Sequence, residues 1–225
     1  MLPGPDYGMK APRPDGEFPN TSFTSHPDAS MIYLWILASY VLGSLPFGII
    51  IARTCKGIDP RTAGSGNPGA TNVARLCGLP WGILTLACDL LKGLLAVQIS
   101  LYFSPDAWFH SACVLAVIGG HIKSCFLGFR GGKGVSTTIG ALIPLGLPPL
   151  LCAVGCCVAV IAVSSFVSLG SLTLVSSLLI FYPLFDRFDL LPLAVVLTVL
   201  IFWTHRSNIG RLLRGEEKSW RKSRN

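Results

Sequence analysis

Carboxylates are scarce in this 225-residue chain, which has 11 Asp and Glu against 18 Lys and Arg, and charged residues of both signs make up only 13% of it. Soluble domains average about a quarter charged residues, so a water-facing surface on all sides is excluded. Mechanisms that need several carboxylates, such as paired acid/base catalysis or a carboxylate-held divalent cation, are weakly supported for the same reason. There is no G-x-S-x-G nucleophile elbow. The first 30 residues are rich in Pro, Gly, Ser and Asp and have no apolar run, which excludes a signal peptide and predicts a loose tail. Cysteine is present, but none of the eight belongs to a C-x-x-C pair backed by a second Cys or His cluster, so no zinc site is expected.

What is abundant is apolar side chain: 51% of residues, with mean hydropathy +0.60. The pattern predicts an all-α polytopic membrane protein with about seven transmembrane helices, at residues 31–53, 80–103, 107–124, 134–147, 148–164, 168–184 and 189–205. Some are short or kinked. The fourth and fifth are split by Gly146-Leu147-Pro148-Pro149, which leaves one long kinked element or a re-entrant pair open. The chain divides into a disordered tail at 1–30, a single integral membrane domain at 31–218 and a basic C-terminal tail at 219–225. Met31 opens the first apolar segment and is an alternative start for the natural protein.

The cations are distributed by side. Arg53, Lys56, Arg61, Arg75, Lys123, Arg130 and Lys133, and every basic residue from Arg206 to Arg224, fall on one face of this arrangement. Lys10, Arg13 and Arg187 are what the other face receives. The positive-inside rule then puts the C-terminus and the cation-rich face in the cytoplasm. It also accounts for the net charge of +7 without a nucleic acid partner; membrane lipids are the partner for the basic tail. The eight cysteines lie in spans or on the cytoplasmic face, where disulfides are not expected.

Between the first two spans lies Gly64-Ser65-Gly66-Asn67-Pro68-Gly69-Ala70-Thr71-Asn72, preceded by Arg53, Lys56 and Arg61 and closed by Arg75. Glycines that take positive φ bring backbone N–H groups close to an anion, hydroxyls and amides add neutral donors, and arginines add charge, so the stretch suits a phosphate. Its G-x-G-x-x-G at Gly64, Gly66 and Gly69, with Asp89 beyond, imitates a dinucleotide fingerprint but lacks the strand that should precede it. Gly131-Gly132-Lys133-Gly134 likewise falls short of a nucleotide loop, because Leu127 replaces the first glycine. As isolated matches, both are flexible turns. On the seven-span arrangement, however, they emerge beside His121 and the run from His205 through Asn208 to Arg211, so three polar clusters converge at one depth. Asp89 and Lys92 share a helix face within a span, and either neutralise each other or present Lys92 to a substrate phosphate.

Ser44-Leu45-Pro46-Phe47-Gly48 through Arg61, the loop at 64–75, Asp89-Leu90-Leu91-Lys92-Gly93, Gly120-His121, Phe129-Arg130-Gly131-Gly132-Lys133-Gly134-Val135, Ser168-Leu169-Gly170-Ser171, and His205 through Asn208, Arg211 and Gly215-Glu216 occur in order. Together they resemble the bacterial acyl-phosphate:glycerol-3-phosphate acyltransferases over residues 31–218. The chain has no H-x-x-x-x-D, the dyad of soluble and peripheral glycerolipid acyltransferases. It departs from the resemblance at Thr204, where a basic residue is common, at Ser136, at Lys123-Ser124 and in the N-terminal tail.

The resemblance implies a multi-pass enzyme of the bacterial inner membrane, its active site facing the cytoplasm. It would move a fatty acyl group from acyl phosphate to the sn-1 hydroxyl of glycerol 3-phosphate, an early step of phospholipid biosynthesis, and release lysophosphatidic acid and phosphate. Acyl phosphate already carries a good leaving group, so the enzyme needs orientation and charge stabilisation, with no nucleophile, cofactor or metal. On this reading Ser65 and the 64–69 backbone hold the acyl phosphate headgroup, shaped by Asn67 and Asn72. Arg75 and Lys133 neutralise phosphate, and His205 and Asn208 position glycerol 3-phosphate. Substrate binding extends to Gly64, Gly66, Gly69, Thr71, Lys92, His121 and Gly132. The resemblance favours a substrate phosphate as proton acceptor, with His205 as the competing base. A small-anion transporter is the alternative of a different class; it predicts inverted hydropathy repeats, and no convincing repeat is present.

Overall fold

The computed structural model describes residues 29–104 and 106–220, and among them every regular element is a helix. The expected tail lies outside the described residues apart from its last two positions, as does the basic tail beyond Trp220. Long runs of Leu, Ile, Val and Ala become helices because in hydrocarbon every backbone N–H and C=O must be satisfied within the segment.

The first apolar stretch, Ser30–Lys56, consists of two helices, α1 (Ala29–Ser44) and α2 (Phe47–Lys56). Pro46, without an N–H, breaks it. A short helix α3 (Ala70–Cys77) follows the glycine loop, then α4 (Leu79–Phe103) and α5 (Ala107–Ile122). After a turn at 123–134 come α6 (Val135–Leu142), α7 (Leu147–Ser164), α8 (Val167–Leu184), α9 (Leu191–Thr204) and α10 (Arg206–Leu213).

Among the described residues, five stretches are long and apolar enough to cross a membrane: Ser30–Lys56, Leu79–Phe103, Ala107–Leu127, Leu147–Ser164 and Val167–Leu184. The α9–α10 pair, bent by 64°, makes a sixth. This is near the expected count of about seven, and the expected span that is short is α6. Its eight residues rise about 12 Å, far less than the roughly 30 Å hydrocarbon layer, because a turn at 143–146 stops it before α7 begins.

α1 packs on α5, α4 on α6, and α7 on α8. The α4–α6 crossing is close because glycine faces backbone: a methyl on Gly93 would strike the Thr137 carbonyl, and one on Gly140 the Leu90 carbonyl. Val97, Val114, Ile118, Leu142, Leu178 and Leu197 form the centre of the core, while Leu34, Leu37, Ile83 and Val163 remain exposed as a lipid-facing surface. The glycine loop, the 123–134 turn and the α9–α10 corner meet at one end of the bundle, joined by hydrogen bonds from Lys133 to Asn208 and from Arg75 to Lys218. Arg187, between α8 and α9, sits with Asp189 and donates to the carbonyl of Leu145.

Candidate active site

The glycine loop is shaped by one amide. Asn72 is buried on α3; its Oδ1 accepts from the Ser65 N–H at 2.8 Å, and its Nδ2 donates toward the carbonyls of Pro60, Ala63 and Asn67 at 2.8–3.0 Å. Gly64 must be glycine here: at φ +65° a Cβ would run into the Asn72 amide. Gly66 N–H bonds to Ala63 O, and Gly69 N–H to Asn67 Oδ1. The expected backbone cradle is therefore narrower than the sequence suggested. The N–H groups of Ser65, Gly66 and Gly69 are used inside the loop, so these glycines set its shape. The Ser65 hydroxyl stays exposed, and Thr71 stands in the first turn of α3.

The loop's arginines do not act together. Asp59 accepts from Arg61 at 2.7 Å and from Arg53 at 3.1 Å, and these bonds, Arg61's above all, hold its carboxyl well below the usual range. Arg53 and Arg61, expected to serve a phosphate, thus share one carboxylate two to six residues away, which offsets one of their two charges. Arg75 does not share it; its guanidinium reaches the carbonyl of Lys218 at 3.1 Å.

Lys133 is the centre of a second cluster. Its ammonium donates to Asn208 Oδ1 at 2.5 Å, and Asn208 Nδ2 donates to Glu217 Oε1 at 2.5 Å. The Glu217 carboxylate also accepts from the Ser168 hydroxyl at 2.8 Å and from Arg211 Nε at 2.7 Å. Burial opposes its charge, but these donors prevail and hold it below the ordinary glutamate range. Burial likewise lowers Lys133 to about 8, with Arg211 and Arg75 pushing the same way and Glu217 opposing. Lys218 Nζ returns to the Gly64 carbonyl at 3.3 Å, tying this cluster to the glycine loop.

His205 sits at the α9–α10 corner, 2% exposed. Its Nδ1 lies 2.9 Å from the Ile201 carbonyl, which can only accept, so Nδ1 carries the hydrogen and Nε2 is left with a lone pair in the neutral ring. Thr204 holds the backbone of Lys133 beside it through a 3.1 Å bond.

The third group lies deeper. Lys92 Nζ is 2.8 Å from Asp89 Oδ1 and 3.1 Å from the Leu45 carbonyl at the α1–α2 break. Asp89 is 3.5 Å from His121 Nδ1, which also meets the Thr137 hydroxyl at 3.1 Å. The ring abuts Gly132, where any side chain would strike it. The adjoining cavity, about 20 Å³ and bounded by Lys92, Asp89, His121 and Pro68, has room for about one water. Asp89 and Lys92 are paired as the neutralising reading expects, and Lys92 also lines the cavity. Lys92 is engaged by Asp89 and Leu45, and His121 braces Gly132.

A family model for glycerol-3-phosphate acyltransferase matches residues 33–215. The chain belongs to that family. A glycerol-3-phosphate acyltransferase of Nitratidesulfovibrio vulgaris is 53% identical over 84% of this chain, which spans only 58% of that relative's length. One of Lawsonia intracellularis is 50% identical over 84% of this chain and 96% of its own. The crystal structure of PlsY, described as an integral membrane glycerol 3-phosphate acyltransferase in its glycerol 3-phosphate form, superposes with a TM-score of 0.80 at 36% identity, over 84% of this chain and 95% of that one. The architecture is therefore that of the integral membrane members of the glycerol-3-phosphate acyltransferase family. Glu217 and Ser168 join the site although the sequence reading assigned them no role. Glu217 lies 49 residues from Ser168, and only the fold brings them together.

Proposed function

We propose that the chain transfers a fatty acyl group from acyl phosphate to the sn-1 hydroxyl of glycerol 3-phosphate at the cytoplasmic face of the bacterial inner membrane. The observation that carries this reading is the Lys133–Asn208–Glu217 chain beside His205, in which a cation and an amide suited to phosphate and hydroxyl are held by an accepting carboxylate, in a member of the glycerol-3-phosphate acyltransferase family. Such a site suits a donor that is already activated.

Lys133 and Arg75 take the substrate phosphates, the Ser65 hydroxyl adds a neutral donor to the acyl phosphate, and Asn208 and His205 Nε2 orient the glycerol hydroxyl. The hydroxyl oxygen bonds to the acyl carbon, the carbon–oxygen bond to phosphate breaks, and the departing phosphate takes the proton. Glu217 keeps Asn208 and Arg211 in place. Lys92 and His121 act behind the site, through Gly132.

The test is purified full-length protein with synthetic acyl phosphate and glycerol 3-phosphate, reading lysophosphatidic acid and free phosphate. Equal amounts of the two products are expected, with Lys133→Ala and Ser65→Ala well below wild type. Product from acyl-CoA but none from acyl phosphate would overturn the donor assignment, and near-wild-type rates in both variants would overturn the site. His205→Gln retaining most of its kcat would exclude an imidazole base.

A further inference from the structure

At the α9–α10 corner, Trp203 is nearly half exposed and carries two cations: Lys123 Nζ at 5.6 Å and the Arg206 guanidinium carbon at 5.1 Å from its ring centroid. The 64° bend places Arg206 at the end of the span, where its Nη1 bonds the Trp203 carbonyl at 3.0 Å. Lys123 is held from behind by its own carbonyl, which accepts from Tyr40 at 2.6 Å.

Neither cation is in an ion pair among the described residues, and the carboxylates on this face are committed elsewhere. Asp59 is paired with Arg53 and Arg61, Glu216 with Arg214, and Glu217 with Arg211. An indole face attracts cations but cannot neutralise them. Among the described residues, then, no carboxylate balances Lys123 and Arg206, and the pair is open to an anion.

We infer that Lys123, Trp203 and Arg206 form a binding site for the phosphate of an anionic phospholipid headgroup, separate from the acyl-transfer site. A lipid is favoured over a free anion by what surrounds the cations. Trp203 and the exposed Phe202 end an apolar span, and Phe126 and Phe129 are exposed on the adjoining turn, an aromatic belt at headgroup depth. Arg206 follows His205 directly, so an occupied site braces the corner that carries His205 and Asn208.

The experiment uses the full-length protein in zwitterionic detergent micelles and in phosphatidylcholine nanodiscs. Phosphatidylglycerol, phosphatidylcholine and inorganic phosphate are titrated separately, with thermal unfolding and lipid adducts in native mass spectrometry as readouts. Phosphatidylglycerol is expected to raise Tm and give a discrete adduct, while the other two do neither. In a Lys123→Gln/Arg206→Gln variant the apparent affinity should fall by roughly thirtyfold, the loss of two interfacial cations, with acyl transfer in phosphatidylcholine unchanged. Lys123→Arg/Arg206→Lys, which keeps both charges, should restore the adduct. The same phosphatidylglycerol shift in the glutamine variant, or an equal shift with phosphatidylcholine, would overturn the site. A shift with inorganic phosphate alone would overturn the lipid as its occupant.

Discussion

The alkaline limb of the pH–rate profile should belong to Lys133. Burial lowers its ammonium to about 8, Arg211 and Arg75 add to the shift, and Glu217 only partly offsets it. The sign follows from that direction: the cation proposed to meet substrate phosphate is present below pH 8 and lost above it. At one unit below its pKa a group is roughly 90% protonated and at one unit above roughly 10%, so kcat/KM for glycerol 3-phosphate should fall about ninefold to tenfold between pH 7 and 9. An ordinary lysine near 10.4 would lose only a few per cent over that interval. The substrate phosphate, with a second pKa near 6, is a dianion throughout and does not contribute. The assay is initial-rate release of lysophosphatidic acid at subsaturating glycerol 3-phosphate, corrected for uncatalysed hydrolysis of acyl phosphate at each pH. Lys133→Arg, whose guanidinium stays charged above pH 12, should lose the limb even if its maximum is lower. A flat wild-type profile to pH 9.5, or an unchanged limb in Lys133→Arg, would refute the assignment.

Glu217→Gln removes the one neighbour that raises Lys133, so the limb should move to lower pH while Asn208 loses its acceptor, seen as a higher KM for glycerol 3-phosphate. An unmoved limb would count against the coupling. Asp89→Asn leaves Lys92 without its counter-charge inside the bundle and should cost about 3–5 kcal/mol of stability, whereas Asp89→Leu/Lys92→Met, which removes both charges, should recover most of it. Thermal unfolding in detergent decides this, and a double variant no better than the single would refute it. Asn72→Ala removes one acceptor and a shared donor from the loop and should lower stability by about 2–4 kcal/mol, while Ser65→Ala lowers turnover and leaves Tm unchanged.

Much of the fold was readable because its causes are local. Apolar runs mark the spans, Pro46 and the turn before Pro148 mark the breaks, and cation placement marks the face on which Lys133 and Asn208 meet. The shortness of α6 was not readable, since its apolar residues continue into the turn at 143–146 that ends it. The glycine loop is legible as a loop, but the number of N–H groups it leaves free is not. Composition gives no sign that Asn72 captures the Ser65 N–H or that Arg53 and Arg61 share the Asp59 carboxylate.

By itself, then, the sequence determined a helical membrane protein with a phosphate-suited loop, a basic glycine turn, a terminal His-Asn pair and membership of one acyltransferase family, because each rests on neighbouring residues. Only the tertiary structure decided which charges remain available. Glu217 and Lys218 fold back to Ser168, Asn208 and Gly64, the last 154 residues away in the chain, and Lys92 finds a carbonyl 47 residues earlier. Charge compensation depends on distance in space and on burial, and neither is encoded in any local pattern.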